Sequence, residues 1–330
     1  MSDATMSAML LDGPGAAFRL ADIMKPTPGP GEVLVRVHAS GVNPLDAKIR
    51  AGEAGHARHP LPAILGIDMA GMVEAVGMGV TRFQPGDTVY GMTGGVGGVQ
   101  GSLAEYASVD ADLLAVKPTN LSMRDAAALP LVVITAWEGL VDRAHVQAGQ
   151  KVLIQGGAGG VGHVAVQIAL AFGAEVFATA SDADGDYIAS LGATAIGRDL
   201  PMEEQIARYT GGRGFDLVYD TVGGAVLDAC FKLVCRFGHV VSALGWGTHA
   251  LAPLSFKAAT YSGVFTLLPL LTGEGRPHHG EILKHAAELI EAGKLVPRLE
   301  PRRFGLMDAG EAHAALTSGD TKGKIVIDTI

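Results

Sequence analysis

The most specific chemistry in this chain is carried by a run of glycines. Gly157-Ala158-Gly159-Gly160-Val161-Gly162 follows the pattern G-x-G-x-x-G. A β-rich run, Lys151–Gln155, comes immediately before it. A helix candidate, His163–Phe172, comes immediately after, with Val164, Ile168 and Phe172 four apart on one face. A second strand candidate, Glu175–Ala180, lies about 20 residues on. In that setting Gly157 allows a tight strand-to-helix turn, Gly159 lets the main chain approach a pyrophosphate, and Gly162 lets the helix pack closely on the sheet. The pyrophosphate would sit at the positive amino end of the helix. The spacing therefore predicts a dinucleotide site.

The identity of the dinucleotide depends on the end of the second strand, where an acid would bond the ribose 2′-hydroxyl of NAD. The strand ends Thr179-Ala180-Ser181, which leaves room for the 2′-phosphate of NADP. Thr179, Ser181 and, after the third strand, Arg198 are the residues expected around that ribose. Asp182, Asp184 and Asp186 follow without a lysine and oppose a phosphate. On balance NADPH is expected, with NADH as the alternative. No Ser-His-Asp or Cys-His constellation is recognisable, so covalent hydrolysis is not supported. The eleven histidines suggest no metal-ligand set, and His278-His279 reads as a pair in a solvated loop.

The elements that must position these residues fall into two patterns. Glu32–Ala39 alternates with period two, after the turn Pro28-Gly29-Pro30-Gly31. Met72–Val76, the turn Pro85-Gly86-Asp87 and Thr88–Tyr90 continue in short strands, which suggests an antiparallel barrel. From about residue 123 the pattern changes. Met123–Leu140 is helical in spacing and interrupted by Pro130. Beyond it, the strand candidates Lys151–Gln155, Glu175–Ala180, Asp216–Asp220, His239–Leu244 and Gly263–Leu268 alternate with helices, one of them containing Tyr187–Leu191. Such alternation predicts an α/β doubly wound parallel sheet. The tail adds an amphipathic helix, Glu281–Ala292, closed by Gly293, and a terminal strand, Lys324–Ile327.

Composition narrows the function classes. In 330 residues, 48% are hydrophobic and 18% charged, which excludes a disordered chain. The formal charge of −9 argues against nucleic acid as a partner. Two cysteines, Cys230 and Cys235, are too few for a disulfide framework or a four-cysteine zinc site. Met1–Gly15 lacks the features of a secretory signal. The longest apolar-rich run, Ala126–Trp137, contains Pro130 and is shorter than a membrane span. A soluble, cytoplasmic protein without a membrane partner is expected.

Several further motifs carry a family resemblance. They are Gly41-Val42-Asn43-Pro44 with Asp46, Leu65-Gly66-Ile67-Asp68-Met69-Ala70-Gly71, Pro85-Gly86-Asp87, the glycine run, Phe215-Asp216 to Gly224, Leu267 to Leu271, and Lys322-Gly323-Lys324-Ile325-Val326. With them the chain resembles the medium-chain dehydrogenase/reductase superfamily, and within it the zinc-independent, zeta-crystallin-like quinone oxidoreductases. The resemblance implies a GroES-like β-barrel catalytic domain from residues 1–123 and 269–330, and a Rossmann cofactor domain from residues 124–268. In zinc-dependent members a cysteine stands where this chain has Asn43, and a histidine where it has Ile67, so no zinc is expected.

The resemblance also implies site residues. Asn43 would donate to substrate or cofactor, and Thr135 would lie against the nicotinamide. Leu244, Gly245 and Phe265 belong to segments whose main chain approaches the nicotinamide. Lys48 stands where the group often has a pocket tyrosine. The implied activity is transfer of a hydride from NADPH to a small-molecule quinone or enone. Such acceptors need no Lewis acid, because negative charge delocalises onto oxygen. An enoyl-thioester reductase and a non-catalytic NADPH-binding or redox-sensing protein are the alternatives. A homodimer is expected through an apolar edge strand at residues 261–268.

Overall fold

The structure, a computed structural model, describes residues 5–319 and 321–330. The chain divides into two compact units. One contains the residues up to Leu131, Leu267–Gly293 and Pro297–Ile330, and the other contains Val132–Thr266 with Lys294–Val296. These edges fall at 131/132 and 266/267, against the expected 123/124 and 268/269.

In the first unit, β1 (Thr5–Leu11) pairs antiparallel with β2 (Phe18–Met24). β3 (Glu32–Val42), the short β4 (Ala63–Ile64), β5 (Asp68–Val76), β6 (Thr88–Met92), β7 (Tyr106–Asp110) and β8 (Leu114–Val116) follow. The period-two reading of β3 holds at Val33, Val35 and Val37, all without exposed surface. β5 begins four residues before the expected Met72, because residues 68–71 pair with both β3 and β6. β1 and β2 were not read from the sequence, since TMSAMLL has no alternation to distinguish it.

In the second unit, β9 (Lys151–Gln155), β10 (Glu175–Ala180), β11 (Thr194–Gly197), β12 (Phe215–Asp220), β13 (Val234–Ser242) and β14 (Thr260–Gly263) form one six-stranded sheet. All its pairings are parallel, in the order β11-β10-β9-β12-β13-β14. This is the doubly wound order 3-2-1-4-5-6, whose ligands lie beyond the carboxyl ends of the strands. Leu153, Phe177, Phe215, Val218, Leu227 and Phe231 fill one core of this unit. At the sheet's carboxyl edge, register aligns Gln155 with Asp220, Asp220 with Ser242, and Ser242 with Gly263.

The final strand differs from the expectation of Gly263–Leu268. β14 ends at Gly263, and the chain leaves the sheet after Val264 N–H donates to Ser242 O. A helix with proline in its first turn starts at Leu268, where proline's missing N–H costs nothing. The apolar run could not settle this, because Val264 and Leu267 are buried outside any strand. Met123–Leu140 is likewise three pieces: helices Met123–Ala127 and Pro130–Trp137, then a π-helical turn, Glu138–Arg143. The tail returns to the first unit. Helix Arg276–Glu291 takes in the His278-His279 pair expected in a loop. β15 (Phe304–Gly305) and β16 (Ile325–Asp328) extend the sheet in the order β15-β16-β3-β5-β6-β8. Among the described residues, no helix is long and apolar enough to cross a membrane.

Candidate functional site

The glycine run sits where β9 meets helix Gly160–Ala171, whose N-cap is Gly159. The division of labour among the glycines differs from the sequence reading. The left-handed turn falls on Gly156, with φ +71°, not on Gly157. A Cβ on Gly157 would lie 2.5 Å from Ala178 Cβ, so Gly157 is needed for packing against β10. A Cβ on Gly162 would lie 2.1 Å from Gly156 O, which is how closely the helix approaches the turn. Gly159 and Gly160 are exposed. Helix geometry leaves the N–H groups of the first turn, Gly160, Val161 and Gly162, aimed outward. A turn in which Gly157 and Gly162 have no room for a Cβ, at a helix amino end, fits a pyrophosphate. Thr179 serves this turn from beneath. Its hydroxyl accepts from Gly156 N–H at 2.9 Å and donates to Gln155 Oε1 at 2.8 Å, and its carbonyl accepts from Gly157 N–H at 2.9 Å. It is buried, and these bonds tie its side chain to the turn.

Beyond β10 and β11 lies a cleft of about 820 Å³, lined by Ala180, Ser181, Arg198, Leu200, Arg208 and Tyr209, with Asp182, Asp199 and others. Ser181 Oγ donates to Asp184 Oδ2 at 2.8 Å. Arg198 is exposed and anchored by its N–H to Ala180 O. Arg208, on helix Met202–Thr210, lies over the Tyr209 ring at 5.3 Å. Sequence reading found Ser181 and Arg198 but missed Arg208, which lies in another element and enters only through the fold. Arg198 and Arg208 both line a cleft whose β10 end lacks a carboxylate. That donor set fits a ribose 2′-phosphate, though Asp182 and Asp199 share the lining.

Thr135, Leu244, Gly245 and Phe265 lie within this same unit. Asp220, fully buried, organises the loops beyond β12 and β13. Its Oδ1 accepts from Val222 and Gly223 N–H, and its Oδ2 from Ser242 Oγ at 2.7 Å. Ser242 Oγ in turn accepts from Leu244 N–H. A Cβ on Gly245 would lie 2.2 Å from Tyr261 Oη, so a side chain there would displace that phenol. Phe265 is half-exposed, outside any strand, with its ring edge-on to Trp246 at 6.0 Å. Thr135 is buried, 3.1 Å from Thr266 Oγ, and its carbonyl accepts from Tyr219 Oη at 2.7 Å.

The first unit ties Asn43 into a buried polar cluster. Asn43 has no exposed surface. Its Nδ2 donates to Asp68 Oδ2 at 3.0 Å, its Oδ1 accepts from Lys324 Nζ, and its N–H donates to Asp46 Oδ2 at 2.9 Å. The side-chain amide thus bridges a buried ammonium to a buried carboxyl. Leu131 N–H also donates to Asp68, at Oδ1, and Lys324 Nζ to Val42 O. Lys48 is exposed on helix Pro44–Ala51, which supports the solvent-facing role of an ordinary lysine. Among the described residues, no group of three or more His, Cys, Asp or Glu is placed to hold a metal ion.

Burial, opposed by Lys324, pushes Asp68 up to about 6. Burial, with Asp68 nearby, pushes Asp46 up to about 7, against the Asn43 N–H bond and Lys324. Asp46 Oδ1 is buried without a hydrogen-bond partner. Both groups titrate higher folded than unfolded. Their contribution to stability is therefore complete below the unfolded carboxyl range and is lost as pH rises through about 6 to 7. Asp46→Asn removes one such loss while keeping an acceptor for Asn43 N–H. The variant is expected to be more stable than the parent by roughly 1 kcal/mol at pH 8 and no more stable at pH 5. Urea midpoints at the two pH values check this, and the same difference at both would contradict it.

Comparison with known proteins bears on both units. Residues 29–119 match the family model "Alcohol dehydrogenase GroES-like domain", and residues 191–327 match "Zinc-binding dehydrogenase". The chain is 34% identical over 321 residues to the Arabidopsis thaliana protein "NADPH-dependent alkenal/one oxidoreductase, chloroplastic", covering 93% of this chain and 74% of that protein. It is 32% identical over 323 residues to "Quinone oxidoreductase" of Pongo abelii, covering 96% and 94%. Among solved structures, an alcohol dehydrogenase superfamily protein from Novosphingobium aromaticivorans is similar with a TM-score of 0.98. It shares 60% identity, with 99% of this chain and 100% of that one covered.

Proposed function

Since this chain belongs to the medium-chain dehydrogenase/reductase superfamily, in its zeta-crystallin-like quinone oxidoreductase group, we propose that it reduces quinones or enones with NADPH. The observation that carries this reading is one continuous sheet edge with a glycine cradle at β9 and an arginine-lined cleft past β10. The relatives named for alkenal/one and quinone substrates support the acceptor class. NADPH supplies a hydride when bound. The chain's part is to hold it. Gly159 to Gly162 receive the pyrophosphate, while Ser181, Arg198 and Arg208 receive the 2′-phosphate. Leu244, Gly245, Phe265 and Thr135 border the nicotinamide half. An electron-poor acceptor suits this reading, since a quinone or enone delocalises the arriving negative charge onto its own oxygen.

The reading is tested with chelator-dialysed protein and a panel of one quinone, one enone and one saturated ketone. NADPH oxidation is expected with the first two only. Activity lost on dialysis and restored by zinc would reject the metal-free reading. The two unpaired cysteines support a reducing, cytoplasmic setting.

We also propose a homodimer through β14, the exposed edge of the sheet, with the pairing segment shortened from 261–268 to Thr260–Gly263. Light scattering at micromolar concentration is expected to give about twice the 33.9 kDa chain mass. A mass equal to one chain would reject the dimer.

A further inference from the structure

Asp220 ends β12 with a side chain that has no exposed surface. Three donors converge on it. Val222 N–H and Gly223 N–H donate to Oδ1 at 3.0 and 2.9 Å, and Ser242 Oγ donates to Oδ2 at 2.7 Å. Acceptance from three donors is the arrangement of a carboxylate. Among the described residues Asp220 forms no ion pair, and His249, on the loop beyond β13, bonds Asp228 instead. A buried charge with dipoles around it and no cation beside it acts at a distance, because little water screens it. That reach shows on its neighbours. Burial first, and the charge of Asp220 second, hold the Tyr261 phenol and the Cys230 thiol above their ordinary ranges. A Cβ on Gly245 would lie 2.2 Å from the Tyr261 oxygen, so the field of Asp220 extends to the loop that carries Gly245.

The place of this charge gives it a consequence. A doubly wound sheet holds a dinucleotide as two mononucleotide halves. Here β9 to β11 form one half and β12 to β14 the other. The arginine-lined cleft lies past β10, in the first half, so the nicotinamide falls to the second, which begins with β12. Asp220 also ties together the loops at that edge. Ala243 N–H donates to its carbonyl at 3.0 Å, and Leu244 N–H donates at 3.0 Å to the Ser242 hydroxyl that Asp220 holds. Oxidised nicotinamide is a cation and reduced nicotinamide is neutral. A departing hydride carries two electrons and a proton to the acceptor and leaves one positive charge on the ring. We propose that the buried charge of Asp220 favours the oxidised over the reduced nicotinamide in the bound cofactor, which eases departure of the hydride. This rests on the reading that the nicotinamide half lies over β12 to β14. It is distinct from holding the loops, which serves both redox forms alike.

The experiment measures Kd for NADP+ and for NADPH separately, by calorimetry on the full chain without an acceptor, and takes their ratio. Losses at a disturbed loop, phosphate or ribose contact fall on both forms and cancel in that ratio. In Asp220→Asn the amide keeps an acceptor for the Val222 and Gly223 N–H groups and lacks the charge. The ratio of the NADP+ constant to the NADPH constant is expected to rise about tenfold, the order of effect of one charge acting through a protein interior. Ser242→Ala loosens the same loops and keeps the carboxylate. Both constants are then expected to weaken while the ratio stays within about twofold. The parent supplies a test that needs no variant to fold: NADP+ is expected to bind it at least as tightly as NADPH, and a parent that prefers NADPH would overturn the proposal. An unchanged ratio in Asp220→Asn, or an equal rise in Ser242→Ala, would also overturn it and leave the nicotinamide reading standing. A parent that binds neither form would overturn the proposal and the reading together.

Discussion

Replacing Lys324 with methionine is expected to destabilise the chain by about 3–5 kcal/mol near pH 8, the cost of removing one partner from a buried charge group. Lys324 is almost fully buried, and its ammonium donates to Val42 O and to Asn43 Oδ1. Through Asn43 it is linked to Asp68, and it lies close enough to lower the titration of both Asp68 and Asp46. Without it, two buried carboxyls and one oriented amide lose their compensating charge. The penalty also depends on pH in a definite sense. Both carboxyls already titrate above their unfolded range, and removing the cation raises them further. At pH 5 they are protonated in the variant and the loss shrinks to about 1–2 kcal/mol. Guanidinium unfolding of parent and variant at pH 5 and pH 8 checks this. A loss below about 1 kcal/mol at pH 8 would mean that the cluster is solvated and that Asn43 is available to a ligand after all.

The second large effect concerns the cofactor. Arg198→Ala with Arg208→Ala is expected to weaken NADPH binding about 100-fold and leave NADH binding within a factor of about 3. A charge-assisted hydrogen bond from an exposed guanidinium contributes about 1–1.5 kcal/mol, roughly tenfold each. The two arginines line one cleft from different elements, helix Met202–Thr210 and the turn after β11. Each single variant is therefore expected to show part of the effect. Fluorescence titration with both cofactors measures it. An equal loss for NADPH and NADH would place the arginines on the adenine or the pyrophosphate and remove the case for the 2′-phosphate.

The cofactor turn was legible in the sequence because its determinants are local. Strand, glycines and helix follow one another without a break, so a pattern of spacing describes a geometry. The individual glycine roles were less legible. That Gly156 takes the left-handed turn while Gly157 makes room for Ala178 of the neighbouring strand is not written in the spacing. Asn43 illustrates a different limit. Its position in the motif suggested a donor, but its amide is taken by Asp68 and by Lys324, the latter 281 residues away. No local pattern encodes that partner. Arg208 and the Asp220-Ser242 pair were missed for the same reason, since each acquires meaning only when the sheet brings distant segments to one edge. The last strand was misplaced because Val264, Phe265, Leu267 and Leu268 are apolar in either environment, and a helix with Pro269 in its first turn starts at Leu268.

Transfer of a hydride from NADPH onto a conjugated acceptor leaves its mark on the product. NADPH carrying deuterium at the transferring ring position, incubated with chelator-dialysed protein and a simple enone, tests it most directly by mass spectrometry of the product. The expected product is a saturated ketone with one deuterium on the carbon β to the carbonyl. Recovery of unlabelled product, or of unreacted enone while NADPH is consumed, would contradict it.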